Sequence, residues 1–572
     1  MKTILRMGLL LSLFISLHTP IQALEVKEVY TVDDWLSIDV GDTVLLMNDL
    51  DFDGVDYRPI PLFSGTLDGQ GYTLRNIEIL AEDSGLLEDV GLFGQLSNAT
   101  VRNLKIDNME LVSKNPMVRM GSLAGRAELS DFENISINNT SLSSFDVVGG
   151  LVGHLINSNL SDVHIKSTNI TGVNSIGGLI GKIEPLDTFS EVIESNTVSI
   201  SKSSFQGSIS GERQVGGLVG VVNLSTSISI RESFTKGSLN ALESAGFMMG
   251  EIISSSVEFN DVYSKMDMTY TYDESFLGNF GWIGARMGDG SGTHSLILNR
   301  VYQQTSMQGL SAYENMHAWV GWDLDESNSM LSDIYYDHDR LSLDDIGMKT
   351  SEELLLKESY ANFDFDTIWL IDTSLNDGHP LFQYEVFEVT IHPNNGDSSL
   401  VRNHTKNSSI ILPELIYDGF TLEGWYQDET LTIPFDSIKT YSQDMALYAK
   451  WIENPADEVI IEEPVEEEPI IQGPSPVAPN PVQEVETNNV QSPVIVVNKP
   501  IIVTPVVDES SVTEDEPDTS EIITEPKDEE VEPPLDPIEN KVSKAGSWCW
   551  LWLLLILLLT AYIIYRKLKK RT

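Results

Sequence analysis

One cysteine in 572 residues excludes a disulfide framework and any cysteine-built zinc or iron–sulfur site. Positive charge is also scarce: 35 lysines and arginines face 87 acidic side chains, a formal net charge of −52. A surface this acidic repels phosphate, which excludes nucleic acid as a partner over any broad face. No HExxH spacing joins the nine histidines, and no GxSxG elbow is present. The sole cysteine, Cys549, sits beside an apolar run and reads as an apolar filler rather than a nucleophile. These absences leave no catalytic residue and no cofactor site to nominate. What is present is ample, since a 63.5 kDa chain with 41% apolar residues can fold as several domains with a large core.

Both ends point to export. Residues 1–23 carry Lys2 and Arg6, an apolar run from Met7 to Leu17 and then Ile21-Gln22-Ala23, the layout of a secretory signal. Trp548 to Tyr565 is uncharged and apolar, with tryptophans at one edge, Tyr562 and Tyr565 at the other and RKLKKRT behind. That pattern predicts one membrane helix over 546–565, with 566–572 as a basic cytoplasmic tail and the folded part outside the cell. An apolar segment with a basic tail resembles the sorting signal of wall-linked surface proteins. No LPXTG-like pentapeptide precedes Trp548, so the expectation is a retained single-pass anchor.

Residues 453–545 contain 15 of the 24 prolines, 24 acidic side chains against four lysines, and no aromatic residue. Such a stretch buries too little apolar area to offset chain entropy and reads as a disordered, extended stalk.

The middle repeats. VGLFG (90–94), MGSLAG (120–125), VGGLVG (148–153), IGGLIG (176–181) and VGGLVG (215–220) are followed by the weaker AGFMMG (245–250), FGWIG (280–284) and AWVG (318–321). Their last glycines are spaced by 31, 28, 28, 39, 30, 34 and 37 residues. Between them, segments such as VRNLKI (101–106), FENISI (132–137) and LSDVHI (160–165) alternate apolar and polar residues, as half-buried strands do. A unit of this size cannot bury its apolar face alone, but stacked copies build one continuous core. The reading is all-β: a parallel β-helix over 24–385. The glycines singled out as its structural repeat are Gly94, Gly125, Gly149, Gly150, Gly153, Gly177, Gly178, Gly181, Gly216, Gly217 and Gly220. They are expected to supply positive φ and close approach of successive coils, with Leu151-Val152 and Leu179-Ile180 pointing inward. A helical apolar spacing appears only at Ser351 to Tyr360.

The glycine motif resembles the GLUG motif of bacterial surface proteins. DTVLLMNDLDFDG (42–54) and FSGTLDGQGYTLRNIEI (63–79) are similar to the opening coil of that family, and YYDHDR (335–340) with FDTIWLIDTSLNDGHPLFQY (365–384) to its closing segment. The resemblance implies an extracellular β-helical scaffold, often in adhesin-like or peptidase-bearing proteins, and carries over no catalytic residue. In 386–452, VTIHPNNG (389–396), GFTLEGWYQD (419–428), IPFD (433–436) and DMALYAKW (444–451) resemble one Listeria–Bacteroides repeat. That resemblance implies a small β-grasp-like module of internalin-type surface proteins. Tyr417, Phe420, Leu422 and Trp425 suit an aromatic core for it.

Three candidate sites follow. Asp49, Asp51 and Asp53 before Gly54 match the first half of an EF-hand calcium loop, although Ile60 stands where its bidentate glutamate belongs; the alternative is a solvated turn. Asp337-His338-Asp339 is either a metal-binding cluster or a polar turn. Tyr263, Tyr270, Tyr272, Trp282, Tyr302, Trp319 and Trp322 either line a carbohydrate-binding face or stack inside the later coils. The functional expectation is a cell-surface scaffold of adhesin type. It would meet a membrane through one C-terminal helix and bind an extracellular glycan or protein. A polysaccharide-processing β-helix enzyme and a purely structural surface protein are the alternatives.

Overall fold

The segments that alternate apolar and polar residues are strands, and every pairing between Val26 and Lys349 is parallel. The structure, a computed structural model, describes residues 26–81, 88–185, 195–270, 279–287, 295–308, 319–323 and 329–455. The expected signal, all but the first few stalk residues and the apolar segment 546–565 lie outside them. Among the described residues no helix is long and apolar enough to cross a membrane.

Each coil contributes three strands to three sheets. Val147–Gly149, Val152–Ile156 and Asn159–Thr171 make one such coil. The next coils lie above and below it in register. Val148 pairs with Met120 and Ile176, Val152 with Ala124 and Ile180, and Ile165 with Ile137 and Phe205. Like therefore stacks on like, and Leu151, Val152, Leu179 and Ile180 are fully buried. Among the described residues the middle sheet has nine strands, from Ile60–Phe63 to Val320–Asp323. Eight of them carry the motif glycines and one precedes the motif. At about 4.8 Å per strand the stack is roughly 40 Å long. Where the later motifs drift, larger side chains fill the same layer: Phe247, Met248, Met249, Trp282 and Ile283 are all fully buried.

Of the two roles expected of the motif glycines, close approach is found and positive φ is not. Positive φ is confined to other glycines, such as Gly54, Gly71 and Gly237, and does not occur at Gly149, Gly150, Gly177 or Gly178. Close approach is what requires them. A Cβ on Gly150 would lie 2.1 Å from the carbonyl oxygen of Gly178 in the next coil. Left-handed backbone falls instead to non-glycine residues at the bends of the longest sheet: Asn103, Asn134 and Asp162 begin one column that continues through Lys202, Glu232 and Arg300, and Asn76, Asn108 and Asn139 form another. Asparagine and aspartate enter this region at low cost because their side chains hydrogen-bond locally. Here they bond along the rod: Asn134 Nδ2 donates to Asn103 Oδ1 at 2.9 Å and Asn108 Nδ2 to Asn76 Oδ1 at 2.7 Å. Inside, Ser158 Oγ accepts the Ser130 amide at 3.0 Å and Ser130 Oγ the Ala99 amide at 3.1 Å, so buried bends stay satisfied.

Both ends are covered. Helix Val32–Leu36, capped by a Thr31/Asp34 box, places Trp35 over the first coil, edge-on to Phe52. At the far end His338–Leu341 and the strand Met348–Lys349 follow the last long strand, and Trp319 Nε1 donates to the Ile346 carbonyl at 2.8 Å. The chain then turns back. Residues 350–384 run along the outer face of the longest sheet. Phe234, Tyr263, Tyr302 and Tyr335 form a column there, since these positions pair coil to coil. Their rings stack 4.9 Å and 5.2 Å apart at the first two steps. Leu354, Tyr360, Phe363, Trp369 and Phe382 cover them in a cluster separate from the rod's core. The helical spacing at Ser351 to Tyr360 resolves into two 3-10 turns, Glu353–Leu355 and Lys357–Ser359, with no side-chain caps. Burying Leu354 and Tyr360 against a flat aromatic column decides their shape.

Residues 386–453 form a separate four-stranded sheet in the order 400–405, 386–392, 445–453, 420–426, parallel only between its two central strands. No helix crosses it, which departs from the β-grasp expectation. Its centre is mainly aliphatic, with Val389, Ile391, Ile410 and Leu447 around Phe387, and Trp425 packs at the margin. The close corner contact yields a direct test. Gly150→Val should destabilise the rod by more than about 3 kcal/mol, whereas Gly41→Ala, whose added Cβ meets nothing within 4 Å, should leave the melting temperature unchanged. Equal melting temperatures for the two variants would contradict the stacking.

Candidate functional site

The last glycine of each motif holds two sheets together from outside. A Cβ on Gly153 would stand 2.7 Å from both Gly125 O and Met120 N, so the first and middle sheets meet without an intervening side chain. The residue that follows this glycine points outward beside the corner. Gln95, Arg126, His154, Lys182, Val221 and Glu251 line up there in register, one per coil. Side chains of the first sheet and its turns meet them, and a hydrogen-bonded polar groove results.

Asp89 takes Arg119 Nε at 2.6 Å and Nη2 at 3.0 Å, and Gln95 Nε2 donates to it at 2.7 Å. Arg126 Nη2 donates to Gln95 Oε1 at 2.7 Å. Next along, His154 is 3% exposed. Its Nδ1 lies 3.5 Å from Arg119 Nη1 and its Nε2 lies 3.0 Å from the Glu184 carbonyl. An arginine can only donate, so Nδ1 is the acceptor and the proton sits on Nε2. Burial, with help from the charges of Lys182, Arg119 and Arg126, pushes the imidazole pKa down to about 3. Lys182 pairs with Glu184. Farther on, Glu251 accepts from Gln214 Nε2 at 2.9 Å and from Ser244 Oγ at 3.3 Å, and Ser175 Oγ donates to Gln214 Oε1 at 2.5 Å.

Asp89 and Glu251, facing the groove, are each committed to two partners. Asp146 differs, because burial raises its carboxyl above the usual range while Asn174, Lys182 and Arg119 pull the other way. It borders a small open recess with Asn174, Arg213, Gln214, Glu243, Ser244 and Glu251.

The sequence candidates fall elsewhere. Asp49 Oδ1 accepts the Thr73 amide at 2.9 Å, and Asp51 takes Asn76 Nδ2 at 2.8 Å, Arg75 Nε at 3.1 Å and the Asp53 amide at 3.1 Å. Two of the three carboxylates thus tie one coil to the next rather than converging on an ion. Among the described residues no group of three acidic, histidine or cysteine side chains is arranged to hold a metal. Asp337 is buried, caps the helix at Arg340 and accepts Ser351 Oγ at 2.8 Å, which makes Asp337-His338-Asp339 a polar turn. The aromatic face does not form from Tyr263, Trp282, Tyr302 and Trp319: all four are buried, two under the returning chain and two within the rod. Tyr272 and the side chains of Tyr270 and Trp322 lie outside what is described.

Residues 387–450 match the Listeria–Bacteroides repeat domain family. No curated protein matches the chain. Among solved structures, one described as "a putative immunoglobulin A1 protease" from Bacteroides ovatus is 15% identical with a TM-score of 0.36, covering 63% of this chain and 93% of its own. A likeness so loose leaves function to this chain's own residues.

The depressed histidine sets a pH dependence. Its folded pKa lies below the unfolded value of about 6.5, so the stability tied to neutral His154 is complete above pH ~6.5 and is lost as pH falls toward ~3. Between pH 7 and pH 4 this residue should remove on the order of 3 kcal/mol, and His154→Gln should flatten that limb. Superimposable pH profiles for the two proteins would contradict the assignment.

Proposed function

We propose that the chain is a cell-surface β-helical scaffold of adhesin type, anchored through 546–565 and presenting its rod to an extracellular glycan or protein. One observation carries this reading. Successive coils stand in register, so each outward position repeats as a straight column along the rod. A rigid face with a short repeat is suited to binding extended ligands by many weak contacts. The GLUG-like motif, the Listeria–Bacteroides repeat, the acidic stalk and the signal and anchor patterns support the same reading. The net charge speaks against nucleic acid.

A non-enzymatic role is favoured by the committed state of Asp89 and Glu251, because a general acid or base needs an oxygen free for the proton. The raised carboxyl of Asp146 favours the second reading, a polysaccharide-processing enzyme, since raised acids serve as proton donors in glycoside cleavage. Full-length protein incubated with a polysaccharide panel decides between them. The scaffold reading expects retention of ligand with no reducing-end or unsaturated product. Product release that disappears in Asp146→Asn would overturn it in favour of the enzyme.

A further inference from the structure

The outer face of the longest sheet carries a second ordered surface, distinct from the polar groove and from the aromatic column under the returning chain. Near the C-terminal end of four successive long strands, two outward positions flank one buried aliphatic residue. They read Ser141-Leu142-Ser143, Asn169-Ile170-Thr171, Ser208-Ile209-Ser210 and Ser238-Leu239-Asn240. The rows are in register: Ser141 pairs with Asn169, Asn169 with Ser208 and Ser208 with Ser238, while Ser143, Thr171, Ser210 and Asn240 form the parallel column. Leu142, Ile170, Ile209 and Leu239 are all buried, which fixes the backbone beneath the array. Ser141, Asn169, Thr171 and Ser238 are exposed.

No position of this array is charged, although the chain carries −52. Glu110 precedes it in the same column and Asp267 follows, so the neutral block has edges. The spacing is about 4.8 Å between coils and about 6.6 Å between the two columns. Serine, threonine and asparagine each both donate and accept, and their short side chains lose little rotamer freedom on binding.

We infer that this face binds a neutral, extended β-linked polysaccharide lying along the rod. Sugar hydroxyls are also donor and acceptor at once, and the coil spacing is close to the advance per ring of such a chain. An anionic polymer lying along the column would meet Glu110 at one end and Asp267 at the other. The inference rests on the display reading above and names its ligand class.

The test uses full-length protein in detergent, sedimented with insoluble chitin or cellulose and, for contrast, titrated with soluble polygalacturonate. Wild type should sediment with a neutral polymer with little dependence on salt and should ignore polygalacturonate. Ser141→Lys/Thr171→Lys/Ser238→Lys should lower the bound fraction about tenfold with an unchanged melting temperature. Should that variant fold poorly, Ser141→Ala/Ser143→Ala/Ser238→Ala removes hydroxyls alone and should weaken binding about threefold. Unaltered binding in a folded variant, or wild-type binding to polygalacturonate alone, would overturn the inference. Binding to a matrix-protein array but to no polysaccharide would also overturn it and leave the display reading standing. Binding to neither would sink both.

Discussion

The approach of one coil's backbone to the next at the glycine corner constrains everything else. Gly150 and Gly178 sit where a single methyl group would enter a neighbouring carbonyl oxygen. The turn can be made only if successive coils lie against each other there with nothing between. Once it is made, the strands on either side have no choice of register, because a slip of one residue would move every apolar side chain to the wrong face. The buried serine ladder and the left-handed asparagine columns follow as the way each further bend satisfies its polar groups.

That constraint was largely legible in the sequence, since a repeated GGLVG with alternating segments between its copies has few other solutions. Its physical basis was not. Glycine suggests positive φ, yet the left-handed positions belong to residues such as Asn103, Asn134 and Asp162. Nothing local distinguishes an asparagine that bends a strand from one that decorates it. The polar groove lay half in view, because the residue after each early motif glycine is Gln95, Arg126, His154 or Lys182. Its other half comes from Asp89 and Arg119 on a different sheet, and only the stacking brings them together. The aromatics of the later coils show the same limit. Their composition fits a binding face and a buried cluster equally, and the route of residues 350–384 decides the matter. The calcium half-motif failed for a related reason, since Asp49 and Asp51 have partners 24 and 25 residues away that local spacing does not reveal.

Charge is distributed with purpose across these parts. Buried ionic groups are paired or hydrogen-bonded, as a low-dielectric site requires. Glu385, at the junction between the returning chain and the small sheet, accepts Tyr263 Oη at 2.9 Å and Lys236 Nζ at 3.1 Å. Lys166 Nζ donates to the Lys406 carbonyl at 3.2 Å. The Listeria–Bacteroides repeat is thereby seated on the rod's outer face rather than strung after it. The groove, the covered aromatic column and the neutral array are thus three different uses of outward positions along the rod.

In-register parallel stacking is the central claim, and the absence of cysteine from the folded part makes it directly measurable. With Cys549 replaced by serine, cysteines at Glu133 and Ser161 occupy paired positions on adjacent coils. Oxidation should join them, because neighbouring parallel strands hold Cα atoms within disulfide reach. The offset pair Glu133 and His164 should not join under the same conditions. Equal crosslinking of both pairs, or of neither, would contradict the stacked register on which the whole account stands.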